Sequence, residues 1–191
     1  MRRAALITQP IQIMKTSFQP NLSHFGVFCR DVEQMVSFYK NVFNMVETDR
    51  GVGKTFAMTL VFMSGTPSLH HQLVFASGRG ADAPSTVMQL SFKVQEIDHL
   101  REARRRALEA GATQMRGLNH GNALSIYFSD VEQNTVEVYV DTPWYVTQPH
   151  GDPLDLERSD DEIWAETERV CRADPTFMPV EEWTDCFWRP A

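Results

Sequence analysis

Four polar residues stand among apolar neighbours at positions where their side chains could bind a divalent metal. They are His24, His71, Gln89 and Glu137. Imidazole nitrogen, amide oxygen and carboxylate oxygen all serve as ligands for first-row divalent metals. Glu137 lies between Val136 and Val138, and a carboxylate buried in such a strand needs a metal or another cation beside it. A single histidine in a strand, in contrast, is more often a structural residue than a ligand.

The stretch LHHQLVF, residues 69–75, contains two adjacent histidines before a short apolar run. Neighbouring side chains in a strand point to opposite faces, so only one of the two can share a face with Leu73 and Phe75. The alternation predicts that this residue is His71 and that His70 points away.

The elements that must position these residues follow an order that occurs twice. In residues 22–78 the segment LSHFGVFCR predicts a strand, DVEQMVSFYKNVF a helix, and residues 55–63 and 69–76 further strands. In residues 85–141 the segment STVMQLSFKV predicts a strand, EIDHLREARRRALEAGA a helix ending near Gly111, and ALSIYFSD and TVEVYVD further strands. The sequence therefore predicts an α+β fold with paired βαβββ repeats.

The two halves match at a nearly constant spacing, which is typical of an internal repeat. His24 corresponds to Gln89, 65 residues later (89 − 24), and His71 corresponds to Glu137, 66 residues later (137 − 71). If the repeats pack about a pseudo-twofold axis, these four positions face one cavity. We therefore expect a half-open barrel around a metal site. Gln89 needs hydrogen-bond partners once buried, and either a metal or protein groups could supply them.

Composition excludes several classes of function. The 191 residues carry a formal net charge of −7, which argues against a nucleic-acid-binding surface. No apolar run is long enough to cross a bilayer or to form the core of a signal peptide. The three cysteines are odd in number and lack CxxC spacing, which fits a reducing cytoplasm. Small molecules are the expected partners, with no membrane involved.

The ends of the chain differ in composition from the repeats. Residues 1–21 show no clear periodicity and are interpreted as an N-terminal arm. Residues 142–191 are interpreted as an extended and helical C-terminal tail, with a short helix capped by Ser159. The tail is rich in Trp and Phe. We expect it to cover the cavity mouth, the outer side of the sheet or a second subunit, and a homodimer is the natural expectation.

Residues 21–141 resemble the vicinal oxygen chelate superfamily, which includes glyoxalase I, fosfomycin and bleomycin resistance proteins and type I extradiol dioxygenases. LSHFGVFCRDVEQMVSFYKNVF resembles the opening strand and helix of that superfamily, and YFSDVEQNTVEVYVD resembles its closing hairpin with the carboxylate ligand. LHHQLVF and NHGNALSIYF are most similar to segments of the extradiol dioxygenases, which carry the active-site histidines and tyrosine of that branch.

This resemblance implies roles for individual residues. His71 would be the acid/base, His120 the second active-site histidine and Tyr127 a hydrogen-bond donor to substrate. His24 and Glu137 would be metal ligands, while Gln89 occupies the position of a third, histidine ligand. Gln89 could bind the metal through its amide oxygen, His71 could replace it, or the site could lack a metal. His120 also suits a tight turn, because it lies between Asn and Gly.

The implied activity is cleavage of a small catechol-like aromatic diol with O2 at an Fe(II) centre, a step of aromatic compound catabolism. Mn(II), Ni(II) and Zn(II) are alternative metals. Two other functions remain open. One is a glyoxalase-type metal-dependent lyase or isomerase in which His24, His71, Gln89 and Glu137 are all ligands. The other is a metal-free small-molecule-binding protein of the bleomycin-resistance kind.

Overall fold

The computed structural model describes residues 20–187, so most of the predicted N-terminal arm lies outside the described residues. The first repeat contains strand β1 (Phe25–Cys29), helix α1 (Val32–Phe43) and strands β2 (Val46–Val52), β3 (Thr59–Ser64) and β4 (Leu73–Ser77). The second contains strand β5 (Leu90–Lys93), helix α2 (Ile97–Glu109) and strands β6 (Thr113–Asn119), β7 (Ala123–Ser129) and β8 (Thr135–Asp141). The predicted α+β fold of paired βαβββ units is confirmed.

Helix α1 follows from local signals in the sequence. The side chain of Asp31 accepts a hydrogen bond of 3.0 Å from the backbone N–H of Gln34 and caps the first turn. Asn44 ends the helix in the left-handed region, with φ of 54°. The apolar residues at helical spacing between these two caps pack into the core, as predicted.

The two sheets have corresponding topologies. Sheet one has the strand order β1-β4-β3-β2, and the second repeat forms the order β6-β7-β8-β5. In each repeat the first strand lies parallel to the last, β1 against β4 and β5 against β8. The equivalent strands β1 and β5 are therefore at the ends of their sheets, and the sheets do not close into a barrel by hydrogen bonding among the described residues.

Both repeats contribute to one hydrophobic core. Alternate strand residues such as Val27, Phe75 and Val138 are buried there with the apolar faces of both helices. Helix α1 also contacts the second repeat, since the rings of Phe38 and Phe128 lie 6.3 Å apart. Each sheet buries one face in this shared core. The more polar faces on the other side of the two sheets are therefore fixed in position relative to each other.

A buried ion pair links the repeats. Glu132, in the turn between β7 and β8, accepts hydrogen bonds from the backbone N–H groups of Arg30 and Asp31 at the start of α1. The guanidinium of Arg79, from the segment between the repeats, lies 3.0 Å from the same carboxylate. Burial of both charges is compensated by this pairing and by the helix N-terminus.

The C-terminal tail packs on the edge of the second sheet. It contains strand β9 (Trp144–Tyr145), strand β10 (Asp152–Pro153), helix α3 (Asp160–Ala173), strand β11 (Met178–Pro179) and helix α4 (Val180–Phe187). Strand β10 pairs with β6 and so covers an otherwise open sheet edge. Ser159 is the N-cap of α3, as predicted, and forms a capping box with Glu162. Within residues 20–187 no helix is long and apolar enough to span a bilayer.

Candidate functional site

The carboxylate of Glu137 is the centre of a polar cluster on the second sheet. Strand pairing places Ser91 and Tyr127 directly beside Glu137 on the two neighbouring strands. The carboxylate accepts hydrogen bonds from Gln89 Nε2 at 2.9 Å, Ser91 Oγ at 2.6 Å, Ser125 Oγ at 2.9 Å and Tyr127 OH at 2.5 Å. Glu137 is only 7% exposed, so these four donors replace water around its charge.

Gln89 is half-buried, lines a cavity and bonds Glu137. Its Nε2 donates to Glu137 and also to Ser91 Oγ, at 2.9 Å. A carboxylate can only accept hydrogen bonds, so the amide must turn its nitrogen toward Glu137. This orientation leaves the amide oxygen of Gln89 without a hydrogen bond within residues 20–187, and that oxygen is free to bind a ligand.

His24 and His71 lie side by side in the first repeat, with ring centroids 4.3 Å apart. His24 Nδ1 is 2.9 Å from Ser23 Oγ, and His71 Nδ1 is 2.9 Å from His70 Nδ1. Neither Nε2 atom takes a hydrogen bond from the part of the chain that the structure describes. Both histidines can therefore act through Nε2.

The prediction that His71 shares a strand face with Leu73 and Phe75 is wrong. Strand β4 begins at Leu73, so strand alternation does not extend back to His71. Leu73 and Phe75 point into the core beneath the helices. The ring of His71 instead contacts Phe62, at a centroid distance of 5.1 Å, on the side of sheet one that faces away from the core.

A cavity of about 430 Å³ lies at the junction of the two repeats. His24 and Phe25 line it from the first repeat, and Gln89 and Ser91 line it from the second. Glu137 is hydrogen-bonded directly to both of these second-repeat residues. The structure thus brings the predicted ligands His24 and Gln89 to one cavity, with Glu137 one hydrogen bond away.

His120 and Tyr127 form a second group next to Glu137. His120 follows strand β6 in the tight turn to β7, so the turn expected for Asn-His-Gly is present. Its Nε2 lies 3.0 Å from Tyr127 OH, which in turn donates to Glu137 Oε1. A continuous line of hydrogen bonds therefore joins the imidazole, the phenol and the carboxylate.

Two of the predicted catalytic residues have shifted pKa values. Burial raises the pKa of Tyr127, and its hydrogen bond to Glu137 raises it further, so the phenol stays protonated as a donor. Burial also lowers the pKa of His71, and the nearby His24 and His70 add to this effect. The lower pKa favours the neutral imidazole of His71 at neutral pH.

The donor chemistry at this cavity fits a divalent metal. His24 Nε2 and Gln89 Oε1 are available, and the carboxylate of Glu137 is hydrogen-bonded to Gln89. Within residues 20–187, however, no group of three or more His, Cys, Asp or Glu side chains lies close enough together to hold a metal. The alternative set in which His71 joins His24 and Glu137 is therefore not assembled. The set of His24, Gln89 and Glu137 includes an amide oxygen, a donor that does not belong to those four residue types.

Sequence reasoning missed the residues that surround Glu137 and His120. Ser91 and Ser125 are on the same strand faces as Gln89 and Tyr127, two residues away in each case, so alternation could have found them. His150 contributes its backbone carbonyl to His120, at 2.6 Å from Nδ1. Any residue type could supply that carbonyl, and the sequence therefore carried no signal for it.

Comparison with known proteins agrees with this architecture. A family model described as the Glyoxalase/Bleomycin resistance protein/Dioxygenase superfamily matches residues 21–138, more than half of the chain. A comparison with curated protein sequences finds no match.

Solved structures show the same fold at low sequence identity. A glyoxylase/bleomycin resistance protein/dioxygenase domain from Frankia sp. EAN1pec has a TM-score of 0.53 at 21% identity, covering 69% of this chain and 96% of its own. The fosfomycin resistance protein FosX from Listeria monocytogenes, in a monoclinic crystal form, has a TM-score of 0.51 at 23% identity, covering 64% and 94%. FosX from Mesorhizobium loti has a TM-score of 0.50 at 24% identity, covering 64% and 92%. The family-model match over more than half of the chain shows that the chain belongs to the glyoxalase, bleomycin resistance protein and dioxygenase superfamily.

Proposed function

We propose that this protein is a metal-dependent dioxygenase of the extradiol type, which opens the ring of a small catechol-like diol with O2. The observation that carries the proposal is the hydrogen-bonded line from His120 through Tyr127 to Glu137. It puts one proton donor, Tyr127, directly beside a carboxylate that is a proposed metal ligand, with His120 hydrogen-bonded to that donor. Such a preorganised donor is what a reaction that develops oxyanion charge requires.

His24, Gln89 and Glu137 are the residues that would hold the metal, and Fe(II) is the expected ion. When bound, Fe(II) would supply neighbouring open positions for a diol and for O2. The amide oxygen of Gln89 is a neutral donor in place of a histidine. We therefore expect weaker metal binding than in a site with two histidines and a carboxylate.

His71 would accept a phenolic proton from the diol at Nε2. Two properties support this role. Its Nε2 takes no hydrogen bond from the described residues, and its lowered pKa favours the neutral ring. A general base works best when its pKa is near or just below the working pH, because its unprotonated form is then abundant.

Tyr127 would stabilise negative charge that develops on the bound oxygen atoms, and His120 would hold its hydroxyl group in position. Tyr127 is well suited to donate a hydrogen bond, because its raised pKa keeps the hydroxyl proton in place. His120 is held by hydrogen bonds at both ring nitrogens. Its orientation therefore needs little reorganisation when substrate binds.

The test is to reconstitute the full chain anaerobically with Fe(II) and expose it to a panel of catechols and O2. We expect O2 uptake together with yellow ring-fission products. His71→Gln should lower kcat/KM by about 10²- to 10⁴-fold, as expected for loss of a general base. His99→Gln changes an exposed histidine on helix α2 and should leave the rate unchanged. Fe(II)-loaded protein that consumes no O2 with any catechol would refute the proposal.

A second candidate is a metal-free small-molecule-binding protein, which one observation favours. Four neutral donors already satisfy the Glu137 carboxylate, so its burial does not require a cation. Elemental analysis after incubation with Fe(II), Mn(II), Ni(II) or Zn(II) separates the two candidates. Stoichiometric metal that is lost in Glu137→Ala supports the dioxygenase, and metal-free protein after every incubation supports the binding protein.

A further inference from the structure

The turn that carries His120 makes several hydrogen bonds to the C-terminal tail. Residues 142–187 lie beyond the region matched by the superfamily model, which ends at residue 138. The tail nevertheless contacts His120 at its ring and at its backbone. One of the proposed catalytic residues thus depends on a part of the chain that the superfamily model does not include.

Gln148 bridges this turn and the tail with one amide group. Its Nε2 donates to the backbone carbonyl of His120 at 2.8 Å. Its Oε1 accepts from the backbone N–H of His150 at 3.1 Å. The side chain therefore sets the position of residue 150 relative to residue 120.

The carbonyl of His150 determines which ring nitrogen of His120 carries a proton. That oxygen lies 2.6 Å from His120 Nδ1. A carbonyl oxygen can only accept a hydrogen bond, so Nδ1 must be protonated. Nδ1 is protonated whichever way the Tyr127 hydroxyl points. When that hydroxyl donates to Glu137, Nε2 must also carry a proton to bond Tyr127, and when it donates to Nε2, that nitrogen is unprotonated.

Buried hydrogen bonds fix the rest of the turn. Asn119 Nδ2 donates to Thr167 Oγ1 of helix α3 at 2.8 Å, in a buried position. The carbonyl of Gly121 accepts from Thr142 Oγ1 at 2.5 Å and lies 3.5 Å from Cys171 Sγ. Gly121 has φ of 73° and sits so close to Val146 that a Cβ would be 2.4 Å from that side chain. The tail and the turn therefore pack as one unit.

We propose that the C-terminal tail is a clamp that fixes the orientation and the Nδ1–H tautomer of His120, with Gln148 as the positioning residue. The effect of this clamp on turnover rests on the proposed dioxygenase function. The tautomer itself does not depend on that function. A neutral histidine without such a partner would populate both tautomers. The proton would then be on Nδ1 in some molecules and on Nε2 in others.

The test is long-range ¹H–¹⁵N correlation spectroscopy of the ¹⁵N-labelled full-length chain, at about pH 9, where ordinary imidazoles are neutral. The resonances of His120 are assigned by their loss in His120→Gln. We expect Nδ1 of His120 to show the shift of a protonated nitrogen. An unprotonated Nδ1 in the unmodified chain would overturn the proposal without any further variant.

Two substitutions of Gln148 extend the test. Gln148→Ala removes the bridge, and Gln148→Glu keeps its size but removes the donor to His120. Both should give a mixture of His120 tautomers, while Gln34→Ala, on an exposed position of helix α1, should leave the His120 signals unchanged. Unchanged His120 signals in folded Gln148→Ala would contradict the positioning role.

Turnover separates this proposal from the proposed function. In an active enzyme Gln148→Ala should lower kcat by about 10- to 100-fold, the usual effect of losing an orienting partner of a functional histidine, with KM nearly unchanged. A protein that shows the Nδ1–H tautomer but no O2 uptake would retain the clamp and refute the dioxygenase. An enzyme that is active but has an unprotonated Nδ1 on His120 would support the dioxygenase and overturn the clamp.

Discussion

Replacing Glu132 by alanine should destabilise the protein more than any surface substitution. The carboxylate is 3% exposed and lies 3.0 Å from the guanidinium of Arg79, which is 7% exposed. It also accepts from the backbone N–H of Arg30 at 2.7 and 2.9 Å and from that of Asp31 at 2.6 Å. Removing it leaves a buried positive charge and two partly buried amide donors without this acceptor.

The expected loss follows from these contacts. Removing one partner of a buried ion pair costs about 3–5 kcal/mol, because the remaining charge is left uncompensated. Each unsatisfied amide adds about 1–3 kcal/mol when water cannot reach it. The amides at the start of helix α1 become partly hydrated once the side chain is gone. We therefore expect a loss of about 4 kcal/mol, a large share of the stability of a typical domain.

Urea unfolding monitored by circular dichroism measures this loss. Glu109→Ala is the matched control, since Glu109 forms an exposed ion pair with Arg105 and should cost less than about 1 kcal/mol. The double variant Glu132→Gln with Arg79→Met removes both charges and should recover much of the loss. A cost below about 1 kcal/mol for Glu132→Ala would show that this buried pair does not hold the repeats together.

Two other predictions concern packing and cysteine reactivity. Gly121→Ala should cost at least about 2 kcal/mol in a thermal melt, because a Cβ would clash with Val146 at a positive φ, whereas Gly51→Ala meets open space and should be nearly neutral. Burial raises the pKa of Cys29 to about 12, so its thiolate is scarce at about pH 8. Ellman's reagent should therefore label the exposed Cys186 rapidly and Cys29 only after unfolding. Rapid labelling of more than one thiol in the native protein would contradict this reading of burial.

The sequence alone determined the features that depend on short-range patterns. Helix α1 was predictable because its cap and its apolar spacing lie within one segment of the chain. The repeat was predictable because both halves preserve the same order of elements. Strand β2 was not predicted from the sequence. It is an edge strand that is mostly exposed, so its residues do not alternate between apolar and polar. The metal ligands were predicted in the same way, from polar residues at equivalent places in two periodic patterns, and they stay a prediction.

Only the tertiary structure decided how those residues are partnered. Glu137 was expected to need a cation, yet four donors on or next to the two strands that flank β8 surround it. The start of β4 after His71, and not before it, changed the surface that this histidine contacts. The support of His120 comes from a backbone carbonyl 30 residues away. Such contacts join segments distant in sequence through groups that every residue carries or that many residue types could supply, so no local pattern encodes them.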